Sequence, residues 1–308
     1  MIVAVCSDGG SPGVTTLALL LSLHWQATVL EADPSGGDLR FRLHPAGSRQ
    51  DFLDDRPGLI DLAAASRAGG VPASASVAGL MSGVPLPGPV RSGLPGGIGA
   101  YAQQSSLGVS VVSAPTQAEE FMPMVGLWPA IAGQLALAPD LVVADLGRLQ
   151  PGHAAWSLAQ SAEAVIVLSW PTVEGLHHLR ERVTQLSGAL GEGHERTPVA
   201  AAVLAYPGGG DPSQDVRAVL GARGLPVTTV GAVAVDVPAA DRLREGEVTG
   251  RLRRSSLWRS TAEIGENVMA GWPSVASRVA RGELLRPLGG ALGRQAIGAR
   301  LRGGRGDG

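Results

Sequence analysis

The 308-residue chain has no lysine; all 25 of its Lys/Arg positions are arginine. A mechanism that needs a lysine must therefore borrow it from another chain or do without. There is one cysteine, Cys6. That excludes an internal disulfide framework and any four-cysteine metal or iron–sulfur site within one chain, and a reducing, cytoplasmic setting is the simplest expectation. No stretch approaches about 18 unbroken apolar residues, so no transmembrane helix is expected. The N-terminus MIVAVCSDGG lacks a basic region and carries only a short apolar run, so it does not read as a signal peptide. Formal net charge is only −2, and no global imbalance points to nucleic acid or a membrane. Glycine (44) and proline (22) are abundant, and a GC-rich coding bias accounts for both and for rare lysine. It does not account for how a lysine-dependent site would work.

Short apolar runs alternate with helical patterns. Strands are expected at Ile2–Cys6, Ala27–Ala32, Val109–Ser113, Leu141–Ala144, Ala164–Ser169, Val199–Leu204 and Val227–Val230. Helical spacing occupies Thr15–Trp25, Leu59–Arg67, much of Gln117–Leu137, and Val173–Leu190. This alternation predicts an α/β fold, a doubly wound and mostly parallel sheet flanked by helices, with strands buried on both faces. A Gly/Pro/Ser-rich insertion of loops is expected at about 68–106. From 271 to 308 the chain reads as a basic tail: from 278 onwards it holds seven arginines against Glu283 and Asp307, with apolar residues interleaved. Such a tail is either a solvated segment or an amphipathic contact with an anionic surface.

Between the first strand and the first helix lies SDGGSPGVTT, the layout of a phosphate-binding loop. Backbone N–H groups in a concave turn and the N-terminus of the next helix bind phosphate, and glycines allow close approach. Gly10 and Gly13 stand where they would do this, with Ser11 between them. The standard loop G-x-x-x-x-G-K-[ST] places a lysine where this chain has Val14; Thr15 fills the Mg²⁺-binding hydroxyl position, followed by Thr16. Asp33 and Asp145 end two apolar strands, where a nucleotidase needs acids to hold Mg²⁺ and orient water. Either aspartate alone would serve equally well as a turn or a helix cap. Adjacent His177 and His178 cannot both face one metal from a helix, so a surface role is expected for them.

These motifs together resemble the MinD/ParA family of P-loop ATPases, whose deviant loop reads K-G-G-x-G-K-T-T. Here Gly9 replaces the signature lysine and Val14 the loop lysine. VLEADPSGGDL is similar to the family's first switch segment, with Asp33 at its second aspartate and Glu31 in place of its first. LVVADLGRL is similar to the Walker B segment, with Asp145 at its aspartate. The resemblance covers about residues 1–270 and implies a P-loop MinD/ParA fold. It also implies ATP or ADP with Mg²⁺ as cofactor, held by Gly10, Ser11, Gly13, Val14, Thr15 and Thr16. Thr15, Asp33 and Asp145 would be at the metal, with Asp33 and Asp145 catalytic if hydrolysis occurs. Asp236, Val237 and Pro238 would lie near adenine.

With both lysines absent, hydrolysis is expected to be weak or lost, since such groups contribute several kcal/mol to transition-state stabilisation. Arg40, Arg42 and Arg148 are the candidate substitutes. The resulting expectation is a degenerate positioning or assembly factor. It would be a homodimer with a protein partner in a secretion or pilus machinery of the TadZ/CpaE type, peripheral at the inner membrane face. Its tail would touch a membrane surface or nucleic acid. Two alternatives stay open: an active ATPase in chromosome or plasmid partition, and a scaffold whose loop is vestigial. A nitrogenase-iron-protein relative would need cysteines that are absent. A dinucleotide site would need G-x-G-x-x-G, which GGSPG does not supply, although Glu31 suits its acidic position.

Overall fold

Runs of Val, Ile, Leu and Ala become strands that are buried on both faces. The computed structural model describes residues 1–10, 12–48, 50–68, 94–150, 152–189, 199–222, 224–225, 227–246 and 248–284. The strands are β1 (Ile2–Ser7), β2 (Thr28–Glu31), β3 (Gln103–Gln104), β4 (Ser110–Val112), β5 (Val142–Arg148), β6 (Ala164–Ser169), β7 (Val199–Ala205) and β8 (Thr228–Ala234). They form one sheet in the order β3-β4-β2-β5-β1-β6-β7-β8. Pairing is parallel except between β3 and β4, which run antiparallel. The parallel strands deliver their carboxyl ends to one edge, and β1 sits between β5 and β6 near the centre.

The period-2 alternation of each strand divides the core. Ile2, Ala4 and Cys6 face one layer, while Val3 and Val5 face the other. The first layer is covered by α3 (Leu59–Ala68), a 3₁₀ stretch Ala118–Leu127, α4 (Trp128–Leu137), α5 (Trp156–Gln160), α6 (Val173–Ala189) and α7 (Ser213–Gly221). The second is covered by α1 (Val14–Trp25), α2 (Leu39–Arg42), α8 (Val237–Arg244), α9 (Gly250–Arg253), α10 (Ser256–Gly271) and α11 (Pro273–Leu284). Burying both faces of the sheet is the main source of stability here, since buried apolar area contributes about 25 cal/mol per Å².

Three segments differ from the sequence expectation. The strand expected to stop at Ala144 runs on to Arg148, because Ser7 pairs with Arg148 across a register shift in β1. The region 117–137 is 3₁₀ before it is α-helical, and Pro123 lies inside the 3₁₀ part. Proline lacks the N–H that an α-helix needs at that point. Of the 68–106 region, residues 69–93 lie outside the described residues. Leu94, Ile98 and Tyr101 join the core, and β3 joins the sheet. Of the tail, 285–308 lies outside the described residues. Its start is α11, anchored by buried Trp272, Val275 and Val279.

Candidate functional site

The glycine loop leaves the central strand β1 and enters α1. Gly10 and Gly13 have φ of 69° and 91°, a left-handed conformation that glycine adopts without Cβ strain. Gly13 is the N-cap of α1 and supplies no side-chain cap, so the first-turn N–H groups of this helix are not satisfied by a capping side chain. Helix N-termini of this kind favour anions. Val14, where the lysine would stand, is 5% exposed and packs into the α1-side core. Ser11 lies outside the described residues.

Asp145 and Asp33 meet beside this turn. Asp145 is 1% exposed; its Oδ1 accepts from Gly147 N at 3.0 Å, and its Oδ2 has no hydrogen-bond partner among the described residues. Burial pushes its pKa up from 3.8 to about 6, and the nearby Asp33 charge adds to this; the Thr15 hydroxyl, the Gly147 N–H and Arg42 pull the other way. Thr15, Asp33 and Arg42 are thus the electrostatic neighbours of Asp145. Asp33 Oδ1 accepts from Ser35 N at 2.8 Å, and its Oδ2 packs against the open side of Gly147, whose φ is 56°. Among the described residues no group of three or more His, Cys, Asp and Glu could hold a metal. Mg²⁺ at nucleotide sites needs only one or two carboxylates and takes its other ligands from water and phosphates. Asp145, with an unpaired buried Oδ2 and Thr15 as a neighbour, fits that requirement.

Glu31 serves the backbone. Its Oε1 accepts from Asp38 N (2.8 Å) and Leu39 N (2.9 Å), and its Oε2 from Ala114 N (3.0 Å). Burial pushes its pKa up from 4.5 to about 7 against the pull of those three amides, with Asp145 adding to the rise.

Several residues at the loop were not singled out from the sequence. Asp8 is paired with Arg182 of α6 and with His178, whose Nδ1 lies 3.1 Å from Asp8 Oδ2. The Arg182 side chain is only 4% exposed and stacks over Trp156. His177 and His178 are both exposed, as expected of a surface pair. Trp170 closes the β6 side: its Nε1 would lie 3.1 Å from a Cβ on Gly10, and its ring stacks with Tyr206. His153 accepts from Ala155 N at Nδ1, and its Nε2 is buried without a partner among the described residues. Its pKa is lowered by burial, with Asp33 opposing and Arg182 reinforcing the shift. Cys6 is fully buried and its thiol is pushed up to about 12, so it is inert.

The remaining candidates separate by partner. Arg40 pairs with Asp55 and lies over the Phe41 ring. Arg148 Nε donates to the Asp8 carbonyl at 2.9 Å. Arg42 lines a small cleft, about 20 Å³ in volume, with Thr15, Thr16 and Arg244. Asp236 caps α8 through Ala239 N and accepts from Ser256 Oγ at 2.9 Å, while Pro238 occupies the first turn of α8. Both lie after β8, at the same sheet edge as the loop.

No protein-family model matches the chain, and no curated protein matches it in sequence. Solved structures do match over nearly their whole length. The ParA family ATPase from Chlorobium tepidum is 14% identical with a TM-score of 0.53, covering 86% of this chain and 97% of that one. The septum site-determining protein MinD with Mg-ADP from Pyrococcus horikoshii is 15% identical with a TM-score of 0.55, covering 88% and 97%. Apo McdA from Cyanthece is 14% identical with a TM-score of 0.56, covering 87% and 98%. At such identities the likeness is one of backbone architecture: this chain has the fold of the MinD/ParA P-loop ATPases.

Proposed function

We propose that this chain is a nucleotide-binding positioning or assembly factor of the MinD/ParA type, binding ATP or ADP with Mg²⁺ and hydrolysing ATP weakly or not at all. The observation that carries the reading is the buried Asp145, whose Oδ2 has no partner among the described residues and which has Thr15, in the first turn of α1, as a neighbour. A buried carboxylate oxygen left unpaired costs stability unless a cation or donor arrives. Gly10, Gly13 and the first turn of α1 supply the phosphate cradle. Thr15, Asp33 and Asp145 would hold Mg²⁺, whose charge would offset that of the phosphates. Asp236 and Pro238 flank the nucleoside end.

Weak turnover follows from charge. Val14 is buried and apolar, Gly9 has no side chain, and the chain has no lysine. Phosphoryl transfer depends on positive charge placed at the reacting phosphate, so binding is retained more easily than catalysis. The positioning role rests on analogy of fold, since the Pyrococcus horikoshii protein is described as septum site-determining. Homodimerisation, a protein partner in a secretion or pilus machinery, and contact of the arginine-rich tail with a membrane surface belong to the same reading.

Calorimetry with ATP, ADP and GTP, with and without Mg²⁺, followed by a phosphate-release assay, tests it. Mg²⁺-dependent binding with little release is expected. No binding to any nucleotide would favour the scaffold with a vestigial loop. Hydrolysis that Asp33→Ala stops would favour an active partition ATPase.

A further inference from the structure

The cleft beside Thr15 and Thr16 contains two guanidinium groups brought from distant parts of the chain. Arg42 ends α2, in the segment that follows Asp33; Arg244 ends α8, in the segment that begins at Asp236. Leu39 and Leu243 form the apolar wall beneath them. The two segments touch closely because Gly246, with φ 73°, lies against the His44 ring and near the Arg42 carbonyl, where a Cβ would have His44 Cδ2 at 2.8 Å. Among the described residues each arginine has one acidic partner, close to it in sequence. Arg42 Nη2 meets the exposed Asp38 at 2.6 Å, and Arg244 lies 3.7 Å from the exposed Asp241. Pairs between sequence neighbours with a solvent-exposed carboxylate are weakly held and can exchange for a better anion. Thr15, which lines the cleft, is also a neighbour of the buried Asp145, whose charge is felt by Arg42, so the cleft adjoins the carboxylate.

We infer that Arg42 and Arg244 supply positive charge for binding a nucleotide's phosphates, the binding share of what lysine supplies in a standard phosphate loop and not its share in phosphoryl transfer. This rests on the nucleotide-binding reading above. Guanidinium forks bind phosphate oxygens in bidentate fashion and remain charged at any working pH. The charge here arrives from two helix ends at the side of α1, where the standard lysine projects from the loop itself. Phosphate affinity therefore depends on α2 and α8 staying together and does not depend on the residue at position 14.

The test is titration calorimetry of the full chain, with Mg²⁺, against ATP and against tripolyphosphate, which has no nucleoside. Arg42→Ala and Arg244→Ala are each expected to weaken both ligands about tenfold or more, the range for a lost charge-assisted hydrogen bond. Arg42→Lys should recover part of the loss, and Arg217→Ala, at an exposed arginine of α7, should change nothing. If the wild type binds ATP and the two alanine variants bind it equally well, the inference is wrong. It is also wrong if ATP weakens while tripolyphosphate does not, because the arginines would then act on the nucleoside. A wild type that binds no nucleotide rejects the nucleotide-binding reading, and the inference with it.

Discussion

Replacing Asp145 with asparagine tests whether this carboxylate is held for a cation. Its pKa rises from 3.8 to about 6 in the fold, chiefly through burial. At roughly 1.4 kcal/mol per unit, ionised Asp145 costs the ligand-free protein about 3 kcal/mol at neutral pH. The sign follows from proton counts. Between the unfolded value and about 6 the folded state binds more protons, so stability falls as pH rises through that window and stays low above it. Asparagine keeps the shape and an oxygen for Gly147 N, carries no charge, and places donors where Oδ2 lacked a partner. The ligand-free Asp145→Asn variant should gain about 1–3 kcal/mol at neutral pH, a rise of a few degrees in Tm for a chain of this size. With Mg²⁺ and ATP the order should invert, because the wild type gains binding energy that the variant cannot. Thermal unfolding followed by far-UV circular dichroism, at about pH 5 and about pH 8, measures all of these terms. If the variant melts lower without ligand and MgATP stabilises both proteins equally, Asp145 is not a waiting metal ligand.

Gly147→Ala would drive a Cβ into the Asp33 carboxylate at a position with φ 56°; a loss of about 1–3 kcal/mol and of Mg²⁺-dependent nucleotide binding is expected, read by urea unfolding and calorimetry. Asp8→Asn leaves the Arg182 guanidinium buried without its carboxylate, and should cost about 3–5 kcal/mol in the same unfolding assay. Glu31, raised to about 7 by burial, adds its own loss of stability as pH climbs from 4.5 through 7. Glu31→Gln should flatten that part of the profile when Tm is plotted against pH.

The sheet was legible because its strands are buried on both faces and read as unbroken apolar runs. The boundaries were less so. Gly231, with φ 121°, interrupts the apolar pattern of β8 without ending the strand, which runs Thr228–Ala234. Gly10, Gly13 and Thr15 could be singled out because they lie on the turn from the first strand into the first helix, and Asp33 and Asp145 because they sit just beyond or within a strand. Arg182 and Arg244 could not, because their positions depend on helices packing from far along the chain. Arg182 did leave a trace: it lies three residues after Leu179 and four before Leu186, on the buried side of α6. A charge at such a place needs a partner, but spacing alone cannot identify Asp8 as that partner.

The three amides that converge on Glu31 have a mechanical consequence. They fasten residues 38 and 39 to the end of β2 and, through Ala114, to the end of β4. Gly37, whose Cβ would strike Glu31, seals the near side of that anchor. The segment after Asp33 is thus pinned at both ends, and whatever swing it makes when a ligand arrives is confined to the few residues from Asp33 to Gly36. Past the pin, α2 and its Arg42 move with the sheet. The part of the loop that can respond is short, and the cationic wall opposite the loop keeps its place whatever that part does.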